Sequence, residues 1–126
     1  MEKMKVLIPL LSKQENNEDF LDKATAGAKQ AILLLVVDTQ AMHGQFGFAA
    51  TEIRQGSMLL EQVKEILGEK RKPYKDIIEW GDTATKIEHI AKLNKADRVI
   101  MQKQNNKFFN DLVKNLKKQE LEIETI

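Results

Sequence analysis

The 126-residue sequence contains no cysteine, only two prolines and six glycines, and 6% aromatic residues. Without cysteine there is no thiolate metal site, no Cys nucleophile and no disulfide framework. Long hydrophobic runs are missing too. The longest, Ala31 to Val37, is far short of the ~20 residues that span a bilayer. An excess of either charge is also lacking: 20 Lys+Arg stand against 19 Asp+Glu, a formal charge of +1, which removes the electrostatic case for a dedicated nucleic-acid-binding domain. Met1 to Lys5 lead directly into a strand-like segment rather than an apolar signal core with a cleavage site. A soluble cytoplasmic protein with no membrane or nucleic-acid partner is expected.

What is present is a globular balance of 42% hydrophobic and 31% charged residues, with no linker-like stretch and no internal repeat. Residues 1–126 therefore read as a single domain, long enough to bury roughly two thirds of the surface of the unfolded chain.

Short apolar runs alternate with stretches of helical period. Val6-Leu-Ile8 reads as a strand stopped by Pro9, which cannot donate within a central ladder. Asn16 to Ala28 reads as a short helix, capped by Asn16 or Asn17, with Phe20, Leu21, Ala24 and Ala28 on one face. The continuous run Ala31 to Val37, ended by Asp38, fits a parallel strand covered on both faces. Thr39 to Phe48 reads as a loop, and Ala49 to Glu69 as a helix with Ile53, Met58, Leu59, Val63, Ile66 and Leu67 inward.

Lys75 to Trp80 is a third strand between Pro73 and Gly81. Asp82 or Thr83 then caps a helix carrying Ile87, Ile90, Ala91 and Leu93. Arg98 to Met101 is a fourth strand. A fourth helix from about Asn106 to Lys118 turns Phe108, Phe109, Leu112, Val113 and Leu116 inward, and Leu121 to Ile126 is a fifth strand.

Five strands alternating with four helices predict an α/β fold, a five-stranded mostly parallel sheet with helices on both faces, because parallel crossovers need helix-sized connections. In such a three-layer sandwich ligands bind beyond the carboxyl ends of the strands, where the strand order switches. The segments to interrogate are Pro9 to Lys13, Val36 to Phe48, Trp80 to Thr83 and Gln102 to Lys107.

Trp80-Gly-Asp-Thr-Ala-Thr-Lys-Ile-Glu-His-Ile-Ala, followed by Ala96-Asp97 and the strand ending in Met101, resembles the universal stress protein family. The opening Val-Leu-Ile-Pro9 and the run Ile32 to Asp38 agree with that family's first two strands. The resemblance covers nearly the whole chain in element order. It implies a Rossmann-like fold of the adenine nucleotide alpha hydrolase type, a cytoplasmic protein acting in the stress response, and dimerisation, in many members by pairing of the last strands. It also implies crevice positions at Val36, Asp38, Gly81, Gln102 and Asn105.

One branch of that family binds ATP. It carries an Asp two positions after the first strand's Pro, and a G-x2-G-x9-G-[ST] loop after the fourth strand. Such glycines let backbone N–H groups approach phosphates, and the helix N-terminus beyond favours anions. Here the Asp position is Leu11, the glycine positions are Gln102, Asn105 and Asn115, and the Ser/Thr position is Leu116; no glycine occurs after Gly81. ATP is therefore not expected as a cofactor. A partial rescue requires Asn105 in the left-handed conformation, with Asn106 and Lys107 as polar contacts to an anion.

Other chemistry is sparse. His43 lies in a loop near the expected crevice, as a base, an anion contact or simply a solvated histidine, and His89 is mid-helix. Asp38 suits a ribose hydroxyl or a turn cap; Asp82-Thr83 suits a crevice contact or an N-cap. Phospho-receiver chemistry requires acidic residues where Pro9-Leu-Leu11 and Trp80-Gly81 stand. Met42, Phe46 and Phe48 place apolar side chains in the Ala41 to Phe48 loop, to fold back over the crevice or to serve as a contact site. Lys114, Lys117 and Lys118 suit the negative end of the fourth helix. No Ser-His-Asp, paired-carboxylate or metal-ligand spacing is present.

The expectation is a non-enzymatic regulatory protein without catalytic or metal residues, acting as a homodimer or on a protein partner. The alternative is a nucleotide- or small-anion-binding sensor with an altered crevice built from Asp38, His43, Asp82, Asn105 and Lys107. Glu122 and Glu124, alternating on the last strand, weigh against pairing at that edge, while its backbone remains free to pair.

Overall fold

The computed structural model describes residues 4–38, 48–49 and 52–126. Strand β1 (Met4–Pro9) leads through a 3-10 turn (Lys13–Glu15) into helix α1 (Glu18–Thr25) and strand β2 (Ala28–Asp38). After the two-residue strand β3 (Phe48–Ala49) come α2 (Ile53–Glu69), β4 (Tyr74–Trp80), α3 (Thr83–Leu93), β5 (Arg98–Met101), α4 (Lys107–Lys118) and β6 (Ile123–Thr125).

The five principal strands lie in the order β4-β2-β1-β5-β6, and every pairing is parallel. The chain winds outward from β1 through β2 to β4, then returns past β1 to β5 and β6. The order therefore reverses between β1 and β5. β3 adds a short parallel pairing at the carboxyl end of β2, Val37 with Phe48 and Asp38 with Ala49.

Strand alternation builds two cores. Val6, Ile8, Ala31, Leu33 and Leu35 face α1 and α2, where they pack with Phe20, Leu21, Leu59, Leu60, Val63 and Leu67. Leu7, Ile32, Leu34 and Val36 face α3 and α4, against Ile87, Ile90, Phe109 and Leu116. Because β2 contributes to both clusters, its apolar run is unbroken.

Several boundaries differ from the sequence reading. Gly27, at φ 72, ends the first helical turn early, so Ala28 begins β2 rather than closing α1. Phe48 and Ala49 form β3, and α2 starts only at Ile53. Phe48 is buried in the core beside α2; the remainder of its loop, with Met42, His43 and Phe46, lies outside the described residues. Ile53, Met58, Leu93 and Phe108 are exposed. The inward stripe of α4 is carried by Phe109 and Leu116, with Leu112 and Val113 partly buried, and Phe108 sits one residue off it.

Gly56, inside α2, marks a close approach. A Cβ there would lie 2.9 Å from Leu35 Cδ1 and 3.3 Å from Phe48 Cγ. Gly56→Val is expected to overpack this contact and lower stability by about 2 kcal/mol in urea unfolding. A stabilised variant would show that α2 can move away from the sheet.

Candidate functional site: the carboxyl ends of the strands

Leu10 N–H donates to Leu34 O at 2.8 Å, carrying the chain one residue past Pro9 before it turns. Leu10 and Leu11 are buried, Leu11 in the cluster beneath α3 and α4. Next comes Ser12-Lys-Gln-Glu15, a capping box closing the 3-10 turn: Ser12 Oγ accepts from Gln14 N–H, and the Glu15 side chain reaches back to Ser12 N–H.

Glu15 is fully buried. Its Oε1 accepts from the N–H groups of Leu11 at 2.8 Å and Ser12 at 2.7 Å. Its Oε2 accepts from Gln104 Nε2 at 3.1 Å and from Ser12 Oγ at 3.4 Å. Gln104, also buried, comes from the connection between β5 and α4. The two loops that flank the reversal of strand order are thus joined by a side-chain clasp. Burial pushes the Glu15 carboxyl from 4.5 up to about 7, against the lowering pull of the Ser12 and Leu11 N–H groups and the Ser12 hydroxyl.

The connection from β5 to α4 runs only from Gln102 to Asn106. A G-x2-G-x9-G-[ST] loop cannot fit into it in any register. Asn115 and Leu116 lie within α4, with Leu116 buried in the core. Positive φ outside glycine occurs at Arg71, Lys95 and Glu120 among the described residues, so Asn105 does not adopt the left-handed conformation a rescue requires. Asn106 is the N-cap of α4, accepting from Phe109 N–H at 2.8 Å, and its side-chain oxygen is thereby committed to the helix.

The remaining candidate positions separate into two groups. Asp38, at the end of β2, accepts from Thr83 Oγ1 at 3.4 Å. Asp82 accepts from Thr85 N–H at 3.0 Å and Thr85 Oγ1 at 2.8 Å, the N-cap role. Gly81, at φ 146, donates its N–H to Val37 O and carries the chain from β4 into α3. Val36 is buried beneath α3 and α4 rather than open to a crevice.

On the other side of β1, Gln102 Nε2 donates to Ile126 O at 3.3 Å, while its buried Oε1 has no hydrogen-bond partner. Asn105 and Lys107 are exposed. His43 lies outside the described residues, and His89 is exposed on α3. The two groups are set apart by the buried loop after β1. No group of three or more His, Asp or Glu among the described residues is arranged to hold a metal.

A groove of about 320 Å³ lies beside the clasp, lined by Lys103, Gln104, Phe109, Lys114 and Thr125 among others. A second, of about 290 Å³, separates the 3-10 turn from α2 and is lined by Lys13, Asn16, Gln55, Met58, Leu59 and Gln62. Neither includes Val36, Asp38, Gly81 or Asn105.

Glu15 lay just outside the segments expected from the sequence, and Gln104 lay inside one of them, Gln102 to Lys107, without being singled out. A local signal for one of them existed: Ser12-x-x-Glu15 is a capping-box pattern. Nothing local pointed to its pairing with Gln104.

No family model matches the chain, nor does any curated protein. Solved structures do. A universal stress protein from Archaeoglobus fulgidus superposes with a TM-score of 0.74 at 12% identity, over 100% of this chain and 95% of that one. A universal stress protein family protein from Arabidopsis thaliana, solved with AMP bound, gives 0.64 at 16% identity, over 98% and 90%. A universal stress protein in complex with cAMP gives 0.64 at 11% identity, over 100% and 98%. This chain has the universal stress protein fold, in agreement with the resemblance in its sequence. Among the described residues no helix is long and apolar enough to cross a membrane.

Proposed function

We propose that this chain is a divergent, cytoplasmic universal stress protein that acts as a homodimeric, non-enzymatic regulator through protein contacts and does not use ATP. The observation that carries the reading is the Glu15–Gln104 clasp: the chain's own carboxylate takes the N–H donors of the loop after β1 at the reversal of strand order. The short β5–α4 connection supports it, because it leaves no glycine loop to surround a phosphate chain.

A second reading is a nucleotide or small-anion sensor, favoured by the AMP- and cAMP-bound proteins of the same fold. Isothermal titration with AMP, cAMP and Mg-ATP separates the two. The first reading expects dissociation constants no tighter than about 1 mM, a binding free energy of roughly −4 kcal/mol. Saturable micromolar binding of any of the three would replace it with the second.

A further inference from the structure

We propose that two copies of this chain associate through the outer edge of β4, antiparallel and about a two-fold axis at Ile77. The proposal rests on the homodimer reading above and specifies its surface.

β4 is an edge strand: it pairs with β2 alone among the described residues. Pro73 O accepts from Ala31 N–H and Gly81 N–H donates to Val37 O, so the odd-numbered residues of the strand turn their backbone groups toward β2. Alternation leaves the N–H and C=O groups of Tyr74, Asp76, Ile78 and Trp80 directed outward. The same residues project their side chains on the α1/α2 side of the sheet. There Tyr74, Ile78 and Trp80 are 36%, 44% and 50% exposed, while Asp76 between them pairs with Lys64 of α2 at 3.4 Å.

The strand is self-complementary in one register. With Ile77 on the axis, Tyr74 pairs with Trp80 of the second copy and Asp76 with Ile78, all four being residues whose backbone groups point outward, as hydrogen-bonded antiparallel pairs require. Lys75 then falls opposite Glu79 of the second copy, and Glu79 opposite its Lys75, at the non-hydrogen-bonded positions where side chains approach most closely. Within each copy Glu79 already pairs with Lys86 at 3.3 Å and Lys75 Nζ donates to Asn94 Oδ1 at 3.2 Å, so the cross-strand pairs extend these contacts. Aromatic pairs form on one face and opposite charges on the other. Shifting the axis to Asp76 sets that carboxylate against itself, and shifting it to Ile78 sets Lys75 opposite Gly81 and Glu79 opposite Ile77, so neither meets an opposite charge of the second copy.

The opposite edge is poorer. In β6 only Ile123 and Thr125 turn their backbone outward, since Glu122 O and Ile126 N–H bond to β5. An axis at Glu124 places that residue against its own copy, and an axis at Ile123 places Glu122 against Glu124; Arg98, 3.1 Å from Glu124 Oε2, offsets only part of this repulsion. Like charges directly opposite destabilise a strand pair.

Sedimentation equilibrium of the full chain tests the assignment, with circular dichroism to establish that each variant is folded. The wild type is expected to be dimeric. Glu79→Lys and Lys75→Glu should each raise the dimer dissociation constant by about tenfold or more, and the Lys75→Glu/Glu79→Lys double variant should restore it. Thr125→Pro, which removes an outward N–H from β6, should leave the dimer intact. A wild-type dimer that tolerates both single reversals but dissociates with Thr125→Pro overturns the β4 assignment and keeps the homodimer. A wild-type monomer at all concentrations removes both.

Discussion

Glu15→Ala is expected to lower the stability of the chain by about 3 kcal/mol at pH 6, the largest loss anticipated from a single polar side chain here. The substitution leaves the N–H groups of Leu11 and Ser12 and the Nε2 of Gln104 without their acceptor in a buried site. A buried donor deprived of its partner costs about 1–3 kcal/mol. The sum is reduced by water entering the space. For a domain of this size the loss corresponds to a fall in Tm of roughly 10 °C. Glu15→Gln should cost about 1 kcal/mol, because its amide oxygen still accepts both backbone N–H groups and Gln104 can turn its own amide to match. Urea unfolding of the three proteins measures the difference. A loss below about 1 kcal/mol for the alanine variant would mean that the clasp does not hold the loop after β1 in place.

Stability should fall by about 3 kcal/mol as pH rises from about 4.5 to about 7, relative to Glu15→Gln under the same conditions. Burial raises the Glu15 carboxyl to about 7 from an ordinary 4.5. Between those values the folded chain holds a proton that the unfolded chain has released, so each pH unit costs the fold about 1.4 kcal/mol. The contribution is fully present below the unfolded value and is lost as pH passes through the folded one. The glutamine variant has no proton to lose and should lack this component. Subtracting its profile also removes the contribution of every titrating group that the two proteins share. A difference profile that is flat, or that rises with pH, would mean that the N–H donors around Glu15 outweigh its burial.

Most of the framework was legible in the residues. Arg98 to Met101 forms a strand with the expected bounds, and Asp82 caps α3 as one of the two expected candidates. The continuous apolar runs of β1 and β2 encode a sheet covered on both sides, because covering helices are what such strands require. Errors gathered where a local pattern was sound but the covering partner ended. Met58 and Phe108 sit in well-formed helices yet face solvent, since helical period does not report how far the neighbouring sheet extends.

The site was only half legible. The short glycine-free segment after Met101 marked the missing phosphate loop, since backbone access to phosphate depends on residue type at each position. The clasp replacing an open crevice was not visible, although Ser12-x-x-Glu15 announced a turn. Gln104 stands 89 residues from Glu15, and only the strand order β1-β5 makes their loops neighbours.

By itself the sequence determined the element order, the two-sided burial of the sheet and the absence of a glycine cradle, because each is written in local period and residue type. The tertiary structure alone decided that Glu15 meets Gln104 and that Tyr74, Ile78 and Trp80 line an open edge. Both depend on which strands lie side by side, a matter of packing between segments remote in the chain that no local pattern carries.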